Sequence, residues 1–561
     1  TLNDVDHILT GTIEMEYFNN SPDDLDFIFM HLWGNAYKNI NTAFAKQKLR
    51  EGSTRFYFAQ DSQFGYYVDL DFKVDGQKVT WDLTPKDEDI AKLMLNSPLK
   101  SGEKITISTP FTLKIPASFS RLGHVRTSYQ MTQWYPKPAV YDRDGWHPMP
   151  YLDMGEFYSE FGSFDVKITL PENYVVGATG ELQTESEKEF LNKKVEETKT
   201  FFENVRTQFK APFQEENYLA RLDTFPKSSD NLKTIHYLAN DVHDFAWFAD
   251  KRFHVQKDQI ELASGKKVDT WTMFSNSQAD LWEKSIEYVN RSVKFYSEKV
   301  GEYPWPQATA VHSALSAGGG MEYPMITVIG QNGTGKDLDD VITHEVGHNW
   351  FYGILATNER DHPWIDEGMN SYYEYRYMEK HYDDIIPMEI PEFVKSDIHP
   401  YEIYYQLQAR RGLDQVPETH SNDFRALNYG LGAYVKPGLA FGHLEKYLGT
   451  ENFDKIMQSF YQNWKFKHPS PKDLRTHFET ESGKDLNWFF DGYINSNDHL
   501  DYSIKSVSEG ENLTILIQNK GEINAPFSVS GLKDSEIVQT VWFEGFEGEK
   551  PVDFPAGDYD K

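Results

Sequence analysis

The residues of this chain best suited to chemistry lie in one short run, His344-Glu345-Val346-Gly347-His348. Positions i and i+4 of a helix share a face, so His344 and His348 can direct both imidazoles at one metal ion. Glu345 stays within reach of a metal-bound water. Glu367 follows His348 by nineteen residues, in the run Trp-Ile-Asp-Glu-Gly. Two imidazoles and one carboxylate leave a fourth position of Zn²⁺ open for water, and the pattern therefore predicts the ligand set of a zinc hydrolase.

Two helices are needed to position these side chains. Apolar residues recur at helical spacing over 337–352, and Gly353 follows as a stop signal. A second helix is predicted from 366 to about 381, with Glu367 in its first turn. The structural alternative is a pair of histidines that only cap or pack an amphipathic helix.

Composition excludes several classes of protein. A chain of 561 residues is too long for one hydrophobic core and predicts two to four domains. Its 56 basic and 87 acidic residues give a net charge of −31, which disfavours nucleic-acid partners and anionic membranes. No run approaches eighteen uncharged apolar residues, so no transmembrane segment is predicted. Because cysteine is absent, disulfides and thiolate ligands are excluded, and His and carboxylate side chains remain as strong zinc ligands.

The chain begins at Thr1 without Met and without a charged and then apolar leader, as a mature or trimmed chain would. An extracytoplasmic location, periplasmic or secreted, is expected, with the cytoplasm as the alternative. The final segment stops abruptly at Lys561, as a truncated domain would.

The hydrophobic pattern changes twice along the chain and predicts a multidomain α+β fold. Residues 1–253 are dominated by strand signals, such as the alternation of Ile13, Met15 and Tyr17, and predict a large antiparallel β domain. A hairpin is expected to join 67–72 to 79–81, and a solvated surface helix is expected over 185–199. Residues 254–500 are mostly helical, and residues 501–561 alternate again, as in a small β-sandwich.

Two further signals concern the central domain. Ser277-x-x-Asp280 predicts a capping box at the start of a helix that runs through Tyr296. The run Gly-Gln-Asn-Gly-Thr-Gly-Lys over 330–336 matches most of a phosphate-binding loop. However, Asp337 stands where a Mg²⁺-binding hydroxyl is needed. A glycine-rich turn into the zinc helix, with Asp337 as its N-cap, is the preferred interpretation.

Upstream of the zinc motif, Gly318-Gly-Gly-Met-Glu-Tyr-Pro324 resembles the Gly-x-Met-Glu-Asn motif of the M1 family of zinc aminopeptidases. Tyr323 stands where that family usually has Asn. The resemblance implies that Glu322 binds the substrate's α-ammonium, and that Gly319, Gly320 and Met321 line the extended substrate. A buried carboxylate near the metal would also block chain extension, as an exopeptidase requires.

The segment Tyr429-Gly-Leu-Gly-Ala-Tyr434-Val-Lys-Pro437-Gly resembles the family segment with the transition-state tyrosine. The resemblance implies that Tyr434 stabilises the oxyanion, with Tyr429 close by, although Pro437 is inserted into the family's Lys-Gly pair. Thr-Gln-Trp-Tyr-Pro over 132–136 resembles a family element that lends a glutamine to the substrate site, here Gln133. Glu374, seven residues after Glu367, is expected behind a ligand histidine, with an ordinary surface carboxylate as the alternative.

The resemblance covers most of the chain and implies a β domain, a thermolysin-like catalytic domain over 254–500 and the start of a β-sandwich. The predicted function is a zinc-dependent aminopeptidase with one Zn²⁺ per chain that cleaves peptides with a free N-terminus. Glu345 would be the general base. A thermolysin-like endopeptidase and a non-catalytic peptide-binding scaffold are the alternatives. An epoxide hydrolase side activity, present in one branch of the family, is also compatible with the sequence.

Overall fold

The computed structural model describes residues 1–208, 223–314, 318–382, 400–534 and 536–560. The chain divides into two compact units, Thr1–Ala356 with Lys465–His468, and Thr357–Trp464 with Pro469–Lys561. Among the described residues, no helix combines the length and the hydropathy that a membrane span requires.

The first unit is built mainly from strands. They are β1 (Leu2–Asn3), β2 (Ile8–Phe18), β3 (Leu25–His31), β4 (Tyr66–Val68), β5 (Lys73–Val74), β6 (Gln77–Lys78), β7 (Thr80–Leu83), β8 (Ile90–Leu99), β9 (Lys104–Lys114), β10 (Gly123–Val125), β11 (Ser128–Met131), β12 (Lys137–Pro138), β13 (Tyr141–Asp142), β14 (Gly145–Trp146), β15 (Gly162–Pro171), β16 (Val175–Ala178), β17 (Glu181–Leu182), β18 (Leu232–Val242), β19 (Trp247–Asp250), β20 (His254–Glu261), β21 (Lys267–Phe274), β22 (Gln307–His312), β23 (Gly320–Tyr323) and β24 (Ile326–Ile329).

The strands up to β19 form antiparallel sheets, as the sequence predicts. The longest pairing joins β2 to β9 from Ile8↔Lys114 to Phe18↔Lys104. Other sheets have the orders β12-β3-β8-β7, β10-β11-β19-β16 and β15-β18-β17. The helices of this unit are α1 (Ala43–Arg50), α2 (Glu185–Gln208), α3 (Ala279–Trp282), α4 (Ser285–Lys299) and α5 (Gly335–His348), with 3₁₀ turns at Trp33–Tyr37, Asp61–Gln63 and Asn276–Gln278.

Two local predictions for this unit need correction. A turn does form at Asp75-Gly76, but only the short strands β5 and β6 pair across it. The flanking strands β4 and β7 pair with β9 and β8 instead, because each finds a long partner in a different sheet. The capping box at Ser277 is also wrong. No side chain caps α3 or α4, and the predicted single helix is interrupted between Trp282 and Ser285.

A five-stranded mixed sheet with the order β20-β21-β22-β24-β23 carries the motif region. β22 lies between β21 and β24 and is parallel to both. β23 pairs antiparallel with β24 and is an edge strand of this sheet. The helix predicted over 185–199 is present and extends to Gln208. Leu191 and Val195 are buried on its inner face, and Thr198 accepts a hydrogen bond from the backbone N–H of Val255 in β20 (2.9 Å).

The second unit is helical and then β-structured. Its helices are α6 (Trp364–His381), α7 (Pro400–Ala409), α8 (Ala426–Tyr429), α9 (Lys436–Leu448), α10 (Thr450–Trp464) and α11 (Pro471–Ser482), with a 3₁₀ turn at Ser421–Asp423 and a π-helical turn at Trp488–Ile494. Strands β25 (Tyr502–Glu509), β26 (Leu513–Asn519) and β29 (Glu549–Phe554) form one sheet, and β27 (Phe527–Lys533) pairs with β28 (Glu536–Phe543). Ile515, Ile517, Phe527, Val552 and Phe554 form the core of these strands. The multidomain α+β prediction is confirmed.

Candidate active site

Helix α5 presents the two motif histidines. A glycine-rich turn leads into it, and Thr334 is its N-cap, because the Thr334 hydroxyl accepts from the backbone N–H of Asp337 (3.1 Å). Asp337 therefore stands in the first turn and is not the N-cap that the sequence predicted. Its negative charge suits the positive end of the helix dipole. Two turns further on, the same helix carries the candidate ligands.

His344 and His348 converge at the end of α5. Their Nε2 atoms lie 3.0 Å apart, and their rings are nearly perpendicular, at 82°. The helix then widens into a π-helical turn, Asn349–Ile354. Asn349 ties this turn to the sheet, because its Oδ1 accepts from the backbone N–H of Met325 (2.9 Å). Two imidazole nitrogens aimed at one point are what a shared metal ion requires.

Glu345 lies on the same helix and is buried, with 6% of its surface exposed. It packs against β23 at Gly320, where a Cβ atom would overlap the Glu345 carboxylate. Glycine at position 320 therefore leaves the Glu345 carboxylate room to lie against the strand. The contact places the predicted base directly beside strand β23, which carries Glu322, the predicted ammonium-binding residue.

The remaining residues of that strand are also buried. Glu322 is 4% exposed, and one of its carboxylate oxygens lies within 4.8 Å of a ring nitrogen of His348. Met321 pairs with Val328 across the strands. Gly319 precedes the strand, and its carbonyl accepts from the backbone N–H of Gly330 (2.8 Å). The structure thus brings both histidines, Glu345 and the glycine-rich motif together within the first unit.

In the second unit, Glu367 lies in the first turn of α6 and is 3% exposed. Its Oε1 accepts a hydrogen bond from the Tyr434 hydroxyl at 2.5 Å. The aromatic rings of Tyr434 and Tyr429 lie edge to face, with their centroids 5.7 Å apart. The structure therefore joins the predicted third ligand to the predicted transition-state tyrosine, and the Tyr429 ring lies beside the Tyr434 ring.

Pro437 does not disturb this arrangement. Tyr434 belongs to a π-helical turn, Gly430–Val435, and Pro437 lies in the first turn of the following helix α9, where proline is tolerated. A Cβ atom at Gly368 would lie 2.6 Å from the Pro437 ring, so glycine next to Glu367 makes room for the inserted proline. Burial lowers the pKa of Lys436 to about 8, and its ammonium donates to the Ser496 carbonyl (2.7 Å), which anchors the segment.

A largely apolar cleft of about 620 Å³ opens beside Tyr434 in the second unit. Leucine, valine and tyrosine side chains dominate its walls, and Glu374 and Arg411 add charge. Glu374 is on the same helix as Glu367 and lines this cleft. Its predicted role behind a ligand histidine stays a prediction. The lining residues are Ser371, Glu374, Tyr375, Tyr401, Leu407, Gln408, Arg411, Leu427, Gly430, Leu431, Tyr434 and Val435.

Gln133 lies in the first unit with a left-handed backbone (φ 48°) and is 1% exposed. Its Oε1 accepts from the Tyr323 hydroxyl (3.1 Å), and its Nε2 donates to Asp244 (3.3 Å). The sequence did not predict Asp244 or the buried Lys137 that pairs with it. No local motif marks these residues, because they meet Gln133 only through tertiary folding.

Comparisons with known proteins find similarity to peptidases. Residues 284–493 match the family model described as Peptidase family M1 domain. Tricorn protease-interacting factor F2 of Thermoplasma volcanium is 23% identical over 42% of this chain and 30% of its own length. Leucine aminopeptidase 2 of Emericella nidulans is 25% identical over 39% of this chain and 35% of its own length. The matches thus span about a third of the length of these curated relatives.

Among solved structures, the M1 zinc metallopeptidase of Deinococcus radiodurans superimposes with a TM-score of 0.55 at 14% identity, over 87% of this chain and 90% of that one. Legionella pneumophila aminopeptidase A, in complex with aspartic acid, gives a TM-score of 0.59 at 13% identity, over 96% of this chain and 58% of that one. These likenesses establish the fold. Over residues 284–493 the chain is similar to the Peptidase family M1 domain, and its fold is similar to those of M1 zinc peptidases.

Proposed function

We propose that the protein is a zinc-dependent aminopeptidase that removes single residues from the free N-terminus of peptides. The observation that carries the proposal is the junction of α5 and β23. There, two histidines aim their Nε2 atoms at one point, and Glu345 packs on Gly320 beside the buried Glu322. This junction combines a metal-binding pair, a proton acceptor and an ammonium-binding carboxylate. Each of these groups has a distinct task in aminopeptidase chemistry.

The donor set fits zinc. His344 and His348 supply imidazole nitrogens and Glu367 supplies a carboxylate, which is a common ligand set of catalytic zinc sites. We propose that these three residues hold one Zn²⁺ per chain. When bound there, zinc would lower the pKa of a water ligand and polarise the scissile carbonyl.

The protein's own groups would perform the remaining steps. Glu345, which is not one of the three ligands, accepts the proton of the attacking water and returns it to the departing amine. The Tyr434 hydroxyl donates to Glu367 at 2.5 Å, and we propose that during the reaction it turns this proton to the oxygen that becomes negatively charged.

Glu322 accounts for exopeptidase action. The α-ammonium of a peptide is a cation that the buried Glu322 carboxylate can bind by charge and by hydrogen bonding. An N-acetylated peptide lacks that charge, and an internal peptide bond would have to be reached past Glu322. These properties favour the aminopeptidase over an endopeptidase. The presence of Glu345 and Tyr434 beside the ligands favours an enzyme over a non-catalytic scaffold.

Removal and return of the metal tests the proposal. A chelator should abolish hydrolysis of aminoacyl amides, and stoichiometric Zn²⁺ should restore it, with one zinc per chain by elemental analysis. A His344→Ala variant should lose both zinc and activity. Full activity after complete removal of the metal would contradict the proposal.

The apolar cleft predicts a substrate preference. Leu427 is 63% exposed and lines the cleft beside Tyr434. We expect Leu427→Ala to lower kcat/KM about fivefold for peptides with bulky apolar side chains, because contact area worth roughly 1 kcal/mol is lost. Peptides with small side chains should be affected less. Leu413→Ala is the matched control, since Leu413 is also partly exposed (37%) but is not among the cleft-lining residues. Equal effects of the two variants on all peptides would contradict the preference.

A further inference from the structure

Tyr323 stands directly after Glu322, at the position of the asparagine in the M1 motif that this segment resembles. Its side chain is 1% exposed and points into the first unit, where the hydroxyl donates to Oε1 of Gln133 at 3.1 Å. Burial raises the pKa of Tyr323 well above its usual value, so the phenol stays protonated and remains a donor. The tyrosine thus anchors the end of β23 to the N-terminal β structure.

Gln133 is itself fixed from the other side. Its Nε2 donates to Asp244, which is fully buried and also accepts from the Tyr135 hydroxyl (2.8 Å) and the Lys137 ammonium (3.0 Å). Burial alone would raise the pKa of Asp244, but the Lys137 charge, together with the hydrogen bonds from Lys137 and Tyr135, holds that pKa below its usual range. The Lys137–Asp244 ion pair is therefore a fixed charged anchor for the Gln133 amide.

A second buried pair holds the same face of the strand. The Arg121 guanidinium is 2% exposed, forms two 2.7 Å contacts with Glu156, and directs its Nε at the Met321 sulfur at 2.9 Å. Successive strand side chains point to opposite faces, so Met321 and Tyr323 share one face and Glu322 points to the other. Met321 and Tyr323, the two neighbours of Glu322 in the strand, thus make polar contacts on the face opposite to Glu322.

The strand needs this support. β23 has four residues and pairs only with β24 among the described strands, so its backbone is held along one edge. An error of about 1 Å in a recognition group far from the reacting atoms can cost two orders of magnitude in rate. The position of Glu322 depends on the strand that carries it, and its own side chain cannot correct a shifted backbone.

We infer that Tyr323 is a positioning residue that sets the location of Glu322 through Gln133, Asp244 and Lys137. In this arrangement Gln133 acts through Tyr323, with both ends of its amide engaged by protein groups. The inference rests on the proposed aminopeptidase function, because it assigns the network to ammonium recognition. In this inference, the tyrosine that stands in place of the motif's asparagine has the role of binding Gln133 and thereby holding the strand.

The test uses Tyr323→Phe, which keeps the ring and removes the hydroxyl. We expect KM for free-amine dipeptide amides to rise about tenfold, with kcat changed by less than about threefold and zinc content unchanged. The preference for free over N-acetylated substrates should fall by the same factor. Tyr158→Phe is the matched control, because Tyr158 is also buried and its hydroxyl donates to Asp142 at 3.0 Å outside this network. That control should leave KM unchanged.

In Tyr323→Phe, Oε1 of Gln133 loses its hydrogen-bond donor, which can destabilise the protein. A double variant keeps the test decisive in that case. Gln133→Leu with Tyr323→Phe removes both partners and should raise KM no further than Tyr323→Phe alone, because the two residues act as one unit. Unchanged KM and selectivity in folded Tyr323→Phe, or loss of zinc together with kcat, would overturn the inference. Wild-type protein that cleaves free and acetylated substrates equally would instead overturn the proposed function, and the inference with it.

Discussion

Glu345→Gln is expected to lower kcat by several orders of magnitude while the protein still binds zinc. Gln has the shape of Glu and suits the buried site beside Gly320, but it cannot accept the proton of the attacking water. Glu345 is not one of the proposed ligands, so the metal should stay bound. Activity and zinc content measured on the same preparation would check both parts.

Glu187→Gln is the matched control for this substitution. Glu187 is another buried carboxylate of the first unit, 3% exposed, and is paired with Lys233 at 2.8 Å in the β domain. Its replacement should lower stability and leave kcat nearly unchanged. An active Glu345→Gln variant would mean that another group accepts the proton.

Tyr434→Phe is expected to lower kcat by about two to three orders of magnitude with little change in KM. The interaction with the oxyanion exists mainly in the transition state, and loss of one such donor typically has this size. In the structure, the Tyr434 hydroxyl is held by Glu367, and the ring of Tyr429 lies beside it. Steady-state kinetics on an aminoacyl amide would measure both parameters.

Tyr429→Phe provides the comparison within the same segment. Tyr429 is buried near Tyr434, so its replacement should cost less in kcat. The reverse order would show that Tyr429, rather than Tyr434, holds the catalytic role and that the inserted Pro437 has shifted the register of the segment.

The zinc motif could be predicted because its residues are close in sequence and lie on one helix. The i, i+4 spacing of His344 and His348 defines their common face, and the helix Gly335–His348 has that face. The alternation of apolar and polar residues that predicts the first long strand, at Ile13, Met15 and Tyr17, is also a local pattern. Apolar periodicity therefore predicts the fold class and the two helices that carry the proposed zinc ligands, but not strand β23 or the π-helical turn with Tyr434.

The errors arose where tertiary contacts outweigh local preference. Ser277 has the sequence of a cap, yet the chain turns through a 3₁₀ segment and the helix is interrupted before Ser285. The Tyr323–Gln133 contact joins residues 190 positions apart, and the Gln133–Asp244 contact spans 111 positions. No pattern within a short stretch of sequence can predict contacts between residues so far apart in the chain. The accommodation of Pro437 by Gly368 likewise joins two separate helices.

The central claim is cleavage from a free N-terminus, and mass spectrometry of one peptide in two forms tests it most directly. The zinc-loaded protein is incubated with a decapeptide that has either a free or an acetylated N-terminus. The account predicts successive loss of single N-terminal residues from the free peptide and an almost unchanged acetylated peptide, because only the free amine can pair with Glu322. Internal fragments from either form, or equal cleavage of both, would contradict it.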